Sequence, residues 1–348
     1  MIKCLVVYNI IIPLFFLKII LIIMKNMSKI LITGCSGFIG FHVCLSLLKD
    51  DSYDVYGLDN MNDYYDIKLK KDRLKILKKN PNFKFFKINI EKYNLLNNNF
   101  KKNKYDYVVH LAAQAGVRFS IENRKAYLDS NLIGFYNILE VVKSFNIKHL
   151  VYASSSSVYG SSTKYPFKES DKTDTPLSFY AASKKSNESL AFSYSNIFGL
   201  PMTGLRFFTV YGPYGRPDMA LYIFTDSILK NTEIKLFNKG NHERDFTYVD
   251  DVVKYLKFLI KRPSQNKIPH AIYNIGSNNP IKLKSFIMII ENILSRKSRK
   301  VNLPMQLGDV KKTHASMTEI NKLIKFKSTN IKDGIKVYLE WFLDYYYK

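Results

Sequence analysis

The stretch Thr33-Gly34-Cys35-Ser36-Gly37-Phe38-Ile39-Gly40 constrains what this chain can fold into more than any other. Its glycines stand between a short apolar run, Ile30 to Thr33, and a helical period from Phe38 to Lys49. In such a strand-loop-helix unit Gly34 permits the tight turn, Gly37 lets the backbone approach a pyrophosphate at the helix N-terminus, and Gly40 allows close helix-to-strand packing. A glycine pattern alone is weak. Asp59 strengthens it, because it ends the next strand about twenty residues on, where a carboxylate can hold ribose hydroxyls. That charge repels a 2′-phosphate and so favours NAD over NADP. The competing reading of Asp59 is a helix cap.

Strands and helices then alternate along the chain. Strands are expected at Ile30 to Thr33, Asp54 to Leu58, Phe83 to Ile88, Tyr107 to Leu111, His149 to Ser154 and Met202 to Phe207. Helices are expected at Phe38 to Lys49, Asp66 to Lys79, Asp129 to Phe145 and Tyr180 to Phe198. This succession predicts an α/β fold with a doubly wound, Rossmann-like parallel sheet covered on both faces. After Phe208 the rhythm gives way to loops rich in Gly, Pro and Asn, with helices at Ala220 to Lys230, Lys284 to Leu294 and Ile331 to Tyr345. We therefore expect an NAD-binding domain over 28–207 and a smaller substrate-binding lobe, mainly 208–348, with segments returning to the first domain. Trp341 and the run Tyr345 to Tyr347 read as helix packing.

The formal charge is +24, from 53 Lys and Arg against 29 Asp and Glu. Such an excess raises the question of a polyanionic partner. Only nine of these cations are Arg, and the lysines are dispersed beside Ile, Asn, Phe and Tyr, as in Lys68 to Lys79 and Lys101 to Lys104. No Arg-studded recognition helix or aromatic-basic strip is present, so a solvated lysine surface is expected and nucleic-acid binding is not. The three cysteines, Cys4, Cys35 and Cys44, form no CxxC pair, which fits a reducing cytoplasm and neither a disulfide framework nor a metal site. Residues 1–27 are an apolar extension. Its run from Leu5 to Ile23, broken by Asn9, Pro13 and Lys18, reads either as a cytoplasmic-face membrane anchor or as a segment ahead of a start at Met24 or Met27.

A second motif, Tyr180-Ala181-Ala182-Ser183-Lys184, places a phenol and an ammonium on one helix face. The ammonium is expected to favour phenolate and lower the Tyr180 pKa, making it usable as a general base. YxxxK is common by chance. Ser154 to Ser157, at the end of an earlier strand, add hydroxyls for a substrate oxygen beside it.

With these motifs in place, the chain resembles the extended short-chain dehydrogenases/reductases of the NAD-dependent epimerase/dehydratase family, most closely their UDP-glucuronate 4-epimerases. The resemblance is carried by GLDNMNDYYDIKLKKDRL from Gly57, HLAAQAGVRFSIEN from His110, VYASSSSVYG from Val151, SFYAASKKSNE from Ser178, GLRFFTVYGPYGRPDM from Gly204 and RDFTYVDD from Arg244. It implies that Tyr180 takes the proton from a sugar 4-hydroxyl, that Lys184 binds the nicotinamide ribose and tunes Tyr180, and that Ser155 hydrogen-bonds the 4-oxygen. The cofactor would lie along Gly34, Gly37, Phe38, Ile39, Gly40, Asp59, Asn60, Asn89, Ile90, Leu111, Ala112 and Ala113. Arg118, Arg216 and Arg244 would meet the substrate, the last two at its diphosphate or nearby acidic groups, where a guanidinium fork suits phosphate. Phe237 would contact uracil and Asp309 a ribose hydroxyl. For either Arg216 or Arg244 the competing reading is a surface ion pair.

Substrate choice rests on fewer positions. The family's dehydratases carry an Asp-Glu pair, and its decarboxylases a Glu, where this chain has Ser156 and Ser157; its neutral-sugar epimerases usually have Asn at Thr209. Ser156, Ser157 and Thr209 are read as a hydroxyl cluster around a C6 carboxylate, which must be held because a 4-keto uronic acid is a β-keto acid prone to lose carbon dioxide. Alternatively they only satisfy backbone groups. Asn89 replaces the usual Asp at the adenine, and Leu307 a frequent Pro before Gly308. The expected activity is therefore NAD-dependent 4-epimerisation of UDP-glucuronate in the cytoplasm, by a homodimer formed through the helices at 129 to 145 and 180 to 198, with no metal. The alternatives are a UDP-glucose or UDP-N-acetylglucosamine 4-epimerase and a non-catalytic NAD-binding sensor.

Overall fold

Apolar residues at successive strand positions, such as Ile30, Leu31 and Ile32, are all fully buried, which requires a sheet covered on both faces. The computed structural model, which describes residues 4–7, 10–13 and 27–347, has such a sheet. Its seven strands are β1 (Ser28–Thr33), β2 (Tyr53–Asp59), β3 (Phe83–Lys87), β4 (Tyr107–His110), β5 (His149–Ser155), β6 (Met202–Phe207) and β7 (His270–Ile275), all parallel in the order β7-β6-β5-β4-β1-β2-β3. The order reverses between β1 and β4. At such a switch point the connecting loops diverge and leave a crevice at the carboxyl ends of the strands.

Alternation along β1 sends Ile30 and Ile32 to one layer and Leu31 to the other. The first layer contains α1 (Phe38–Leu47) and the inner side of α2 (Ile67–Leu77). The second contains α3 (Tyr93–Asn103), α4 (Gly134–Ser144) and α5 (Phe179–Phe198). Helix α5 starts where the Ser178 side chain accepts from Ala181 N at 3.1 Å and stops at Gly199 in the left-handed region, φ 65°. Beyond β6 lie α6 (Ala220–Leu229), α7 (Val249–Ile260), α8 (Leu283–Leu294) and α9 (Ile331–Tyr347). Helix α7 joins the first layer against α1. Helices α6, α8 and α9 share a separate core around Phe246 and Phe286, whose rings stack at 4.0 Å.

Several expectations need correction. No element was expected over the segment of helix α3, whose asparagines are weak helix formers, yet Leu96 and Phe100 are fully buried and hold it in place. Helix α7 follows the strand Glu243–Tyr248 without a break, so no turn signal marks it; Asp250 and Asp251 in its first turn suit the helix N-terminus. That strand, Thr209–Tyr211 and Pro280–Lys282 form a small sheet where loops were expected, and Glu233–Phe237 pairs with Arg299–Leu303. The helix expected over Asp129 to Phe145 opens as a widened π-helical segment, Leu128–Ile133, before α4. Most of the apolar run from Leu5 to Ile23 lies outside the described residues; its described pieces, Cys4–Val7 and Ile10–Pro13, pair antiparallel. Among the described residues no helix is long and apolar enough to cross a membrane.

Candidate active site

A cleft of about 380 Å³ opens at the carboxyl ends of the strands, large enough for much of a small-molecule ligand. Its lining includes Gly34, Gly37, Phe38, Ile39 and Gly40, Asp59 and Asn60, Ile90, Leu111 to Ala113, Ser154 to Ser157, Tyr180, Lys184, Thr209 and Arg216. Motifs scattered over the sequence thus converge on one place.

On one side the wall is backbone. Gly34 adopts φ +72°, and a Cβ there would come within 2.8 Å of the Ala112 nitrogen. A Cβ on Gly40 would overlap the Gly34 carbonyl. Helix α1 begins after Gly37 with no side-chain cap and no acidic residue in its first turn, so its leading N–H groups remain available to an anion. Asp59 is no helix cap: its Oδ2 accepts from Ser36 N at 3.1 Å and its Oδ1 from Met61 N at 2.8 Å. Each carboxylate oxygen keeps a lone pair for a ribose hydroxyl. This cradle fits a dinucleotide. Asn89 does not line it, although Ile88 and Ile90 do; its Nδ2 instead donates to Glu91 Oε2 at 3.2 Å.

On the other side the wall is side chains. Strand β5 ends at Ser155, whose hydroxyl accepts from Ser157 N at 3.1 Å and starts the single turn Ser156–Tyr159. Tyr180 and Lys184 come from the first turns of α5. The expected lowering of the Tyr180 pKa by Lys184 is not what the structure gives. Burial pushes the Tyr180 phenol up, and the groups opposing that rise are the Ser155 hydroxyl, through a hydrogen bond, and the Arg216 charge. Lys184 Nζ donates to the Ala153 carbonyl at 2.8 Å, and burial brings its pKa down to about 8.

Sequence reading missed the residues that brace this wall. Asn131, in the π-helical segment, accepts from Gln114 N at 2.8 Å and donates to Ser183 Oγ at 3.0 Å, tying the loop after β4 to α5. Glu188, one turn beyond Lys184, takes Arg206 Nε at 2.8 Å and Nη2 at 2.9 Å, and Ser154 Oγ at 2.6 Å. A charged residue on the inward face of α5 was the available signal for this pair. Arg216 lies in the cleft but forks onto Asp218, with Nε to Oδ1 at 2.9 Å and Nη2 to Oδ2 at 2.6 Å, and Tyr64 OH donates to the same carboxylate at 3.1 Å. Asp218 stands two residues after Arg216, so that partner was legible.

The remaining predicted residues form a neighbouring cluster. Arg244 Nη2 donates to Asp309 Oδ1 at 2.7 Å, the buried His242 Nε2 lies 3.4 Å from Asp309 Oδ2, and the Arg118 guanidinium lies 5.0 Å from the centre of the Phe237 ring. Burial and the Arg244 charge hold the His242 imidazole below its ordinary range. Three cationic side chains around one carboxylate leave a positive surplus suited to a phosphorylated ligand whenever His242 is protonated, and two cations otherwise.

Comparison with known proteins agrees with this architecture. The model of the NAD dependent epimerase/dehydratase family matches residues 30–276. Protein CapI of Staphylococcus aureus is 50% identical over 335 residues, covering 92% of this chain and 100% of that protein. A probable UDP-glucuronate 4-epimerase of Rhizobium meliloti is 41% identical over 330 residues, 90% of this chain and 96% of its own length. The crystal structure of UDP-glucuronic acid 4-epimerase from Bacillus cereus, in complex with UDP-glucuronic acid and NAD, matches with a TM-score of 0.86 at 31% identity, over 92% of this chain and 100% of that one.

Proposed function

This chain belongs to the NAD dependent epimerase/dehydratase family, and we propose that it interconverts UDP-glucuronate and UDP-galacturonate by epimerisation at C4. The observation that carries the reading is the meeting, in one cleft, of the uncapped glycine-loop helix with Ser155, Tyr180 and Lys184. NAD, when bound, supplies a hydride acceptor and donor for C4, with no net redox change. In this reading Gly34, Gly37, Phe38, Ile39 and Gly40 cradle its diphosphate, Asp59 and Asn60 take its adenosine ribose, and Leu111 to Ala113 lie along it. Asn89, turned toward Glu91, contributes little to the adenine.

Tyr180 removes the proton from the 4-hydroxyl and later returns it. The Ser155 hydroxyl supports the phenolate and holds the 4-oxygen, and the Arg216 charge favours the same anionic form. Lys184, fixed on the Ala153 carbonyl, presents an ammonium to the nicotinamide ribose. The 4-keto sugar turns to offer its other face between the two transfers. Ser156, Ser157 and Thr209 hold the C6 carboxylate so that it is not lost. Arg244, Asp309, Arg118 and Phe237 take the uridine diphosphate. Residues 28–207 thus carry the cofactor and 208–348 mainly the nucleotide sugar, with β7 and α7 returning to the first part.

The same proposal includes a cytoplasmic homodimer. Its support is the apolar surface left bare beside α4 and α5, where Tyr136, Phe192 and Ile197 are 48%, 49% and 65% exposed; light scattering at monomer mass would refute it. The buried free thiols Cys35 and Cys44 suit a reducing compartment.

The decisive assay offers the NAD-loaded protein UDP-glucuronate and UDP-glucose separately and resolves the products by chromatography. UDP-galacturonate is expected. Conversion of UDP-glucose alone would overturn the assignment of the carboxylate subsite, a pentose nucleotide would indicate decarboxylation, and no turnover of either would favour a binding protein.

A further inference from the structure

Arg73, on α2, is fully buried, and among the described residues its hydrogen bonds go to neutral oxygens. Nη1 donates to the Ser36 carbonyl at 2.8 Å and to Tyr65 OH at 2.6 Å, and Nη2 donates to the Tyr214 carbonyl at 2.6 Å. Nε has no partner among the described residues. A buried cation without a carboxylate is costly, and an apolar side chain of similar volume would fill the space with less penalty. The charge and the fork therefore serve some purpose other than packing.

The two carbonyls it joins belong to different parts of the site. Ser36 lies inside the glycine loop. Tyr214 lies in Gly212-Pro213-Tyr214-Gly215-Arg216, the loop that delivers Arg216 to the cleft. That loop is strained, since Tyr214 has φ +55°, a left-handed conformation for an aromatic residue. Such a conformation persists only when its surroundings hold it. Here the grip comes from the cofactor side: His42 on α1 bonds the Pro213 carbonyl at 2.8 Å, and the Tyr214 ring packs 5.0 Å from Phe41. On its other side it lies 4.9 Å from Trp341.

We infer that Arg73 is a positioning residue that fixes Arg216 relative to the dinucleotide cradle, so that the acidic part of the substrate and the cofactor are held in register by one guanidinium. Hydride transfer needs both partners within a near-attack distance, and small misplacements cost rate steeply. The inference rests on the proposed function only for what Arg216 meets in the cleft.

The test is a double-mutant cycle on the NAD-loaded protein. A lysine at this site keeps the charge but cannot bridge both carbonyls as a planar fork does. Arg73→Lys is expected to retain NAD within about twofold and to lower kcat/KM for UDP-glucuronate about tenfold in the native background, but less than about twofold in an Arg216→Lys background. Equal losses in the two backgrounds, or loss of NAD with no change in substrate kinetics, overturn the inference. If Arg73→Lys does not fold, His42→Ala is read the same way, with about a threefold loss expected only where Arg216 is intact. If no UDP-sugar is turned over, the cycle is run on the dissociation constant of UDP-glucuronate. Coupling there upholds the positioning role although the catalytic reading has failed, and additive effects refute it.

Discussion

The two walls of the cleft are built from different materials. The cofactor wall is backbone: a left-handed glycine, an uncapped helix end and one carboxylate already anchored on Ser36 and Met61. The substrate wall is side chains drawn from distant segments, and its cations come already partnered, Arg216 with Asp218 and Arg244 with Asp309. A backbone wall is complete on folding and tolerates little change. A side-chain wall must exchange internal partners for ligand groups, which takes up part of the binding energy.

Four measurements bear on this contrast. At the seam between the walls, Tyr180→Phe should lower turnover by about 10²–10⁴-fold while the purified protein keeps its NAD, read from absorbance after denaturation. An active variant removes Tyr180 as the base. Next, Gly34→Ala adds a methyl in a left-handed conformation against Ala112. Strain of about 1–3 kcal/mol is expected, seen as a lower melting temperature and protein isolated without NAD. If it purifies fully loaded, the backbone wall tolerates a methyl group at Gly34 despite the close approach of Ala112.

On the substrate wall, Arg244→Lys loses a guanidinium that bonds Asp309 through Nη2 and the Glu243 and Lys311 carbonyls through Nη1, and should raise KM for UDP-glucuronate by roughly tenfold, about 1.4 kcal/mol, with NAD content unchanged. A fall in NAD content would mean that the walls are not separable there. The smallest effect concerns Lys184. Its folded pKa of about 8 lies below the ordinary 10.5, so between those values the unfolded chain binds more protons and stability rises with pH. From pH 8 to 9 the NAD-free protein should gain about 1 kcal/mol relative to Lys184→Met in urea titrations. An identical pH dependence in the two proteins would contradict the buried ammonium.

The same contrast explains what the sequence disclosed. The glycine loop and Asp59 were legible because both belong to one strand-helix-strand unit, whose short connections bring the end of β2 beside the loop after β1. Tyr180 and Lys184 were legible because helical periodicity alone puts them on one face. Their protonation was not, since burial acts on both groups and depends on how the completed fold encloses them. Glu188 with Arg206, and Asn131 with Gln114 and Ser183, meet across separate elements, so the sequence shows at most a charge on the inward face of α5 and not which residue it meets. The helix at Val249–Ile260 escaped because a strand runs straight into it, and the asparagine-rich Tyr93–Asn103 because tertiary burial overrode its weak propensity.

Strand β7 has a consequence for the order in which the protein can be made. It pairs along β6 from Met202 to Phe207, yet residues 208–269 are translated in between. A growing chain therefore leaves the ribosome with a nearly finished sheet whose β6 edge stays bare until that stretch has emerged. Bare edges recruit other strands, so premature termination anywhere in 208–269 would yield a sticky polypeptide rather than a smaller working protein.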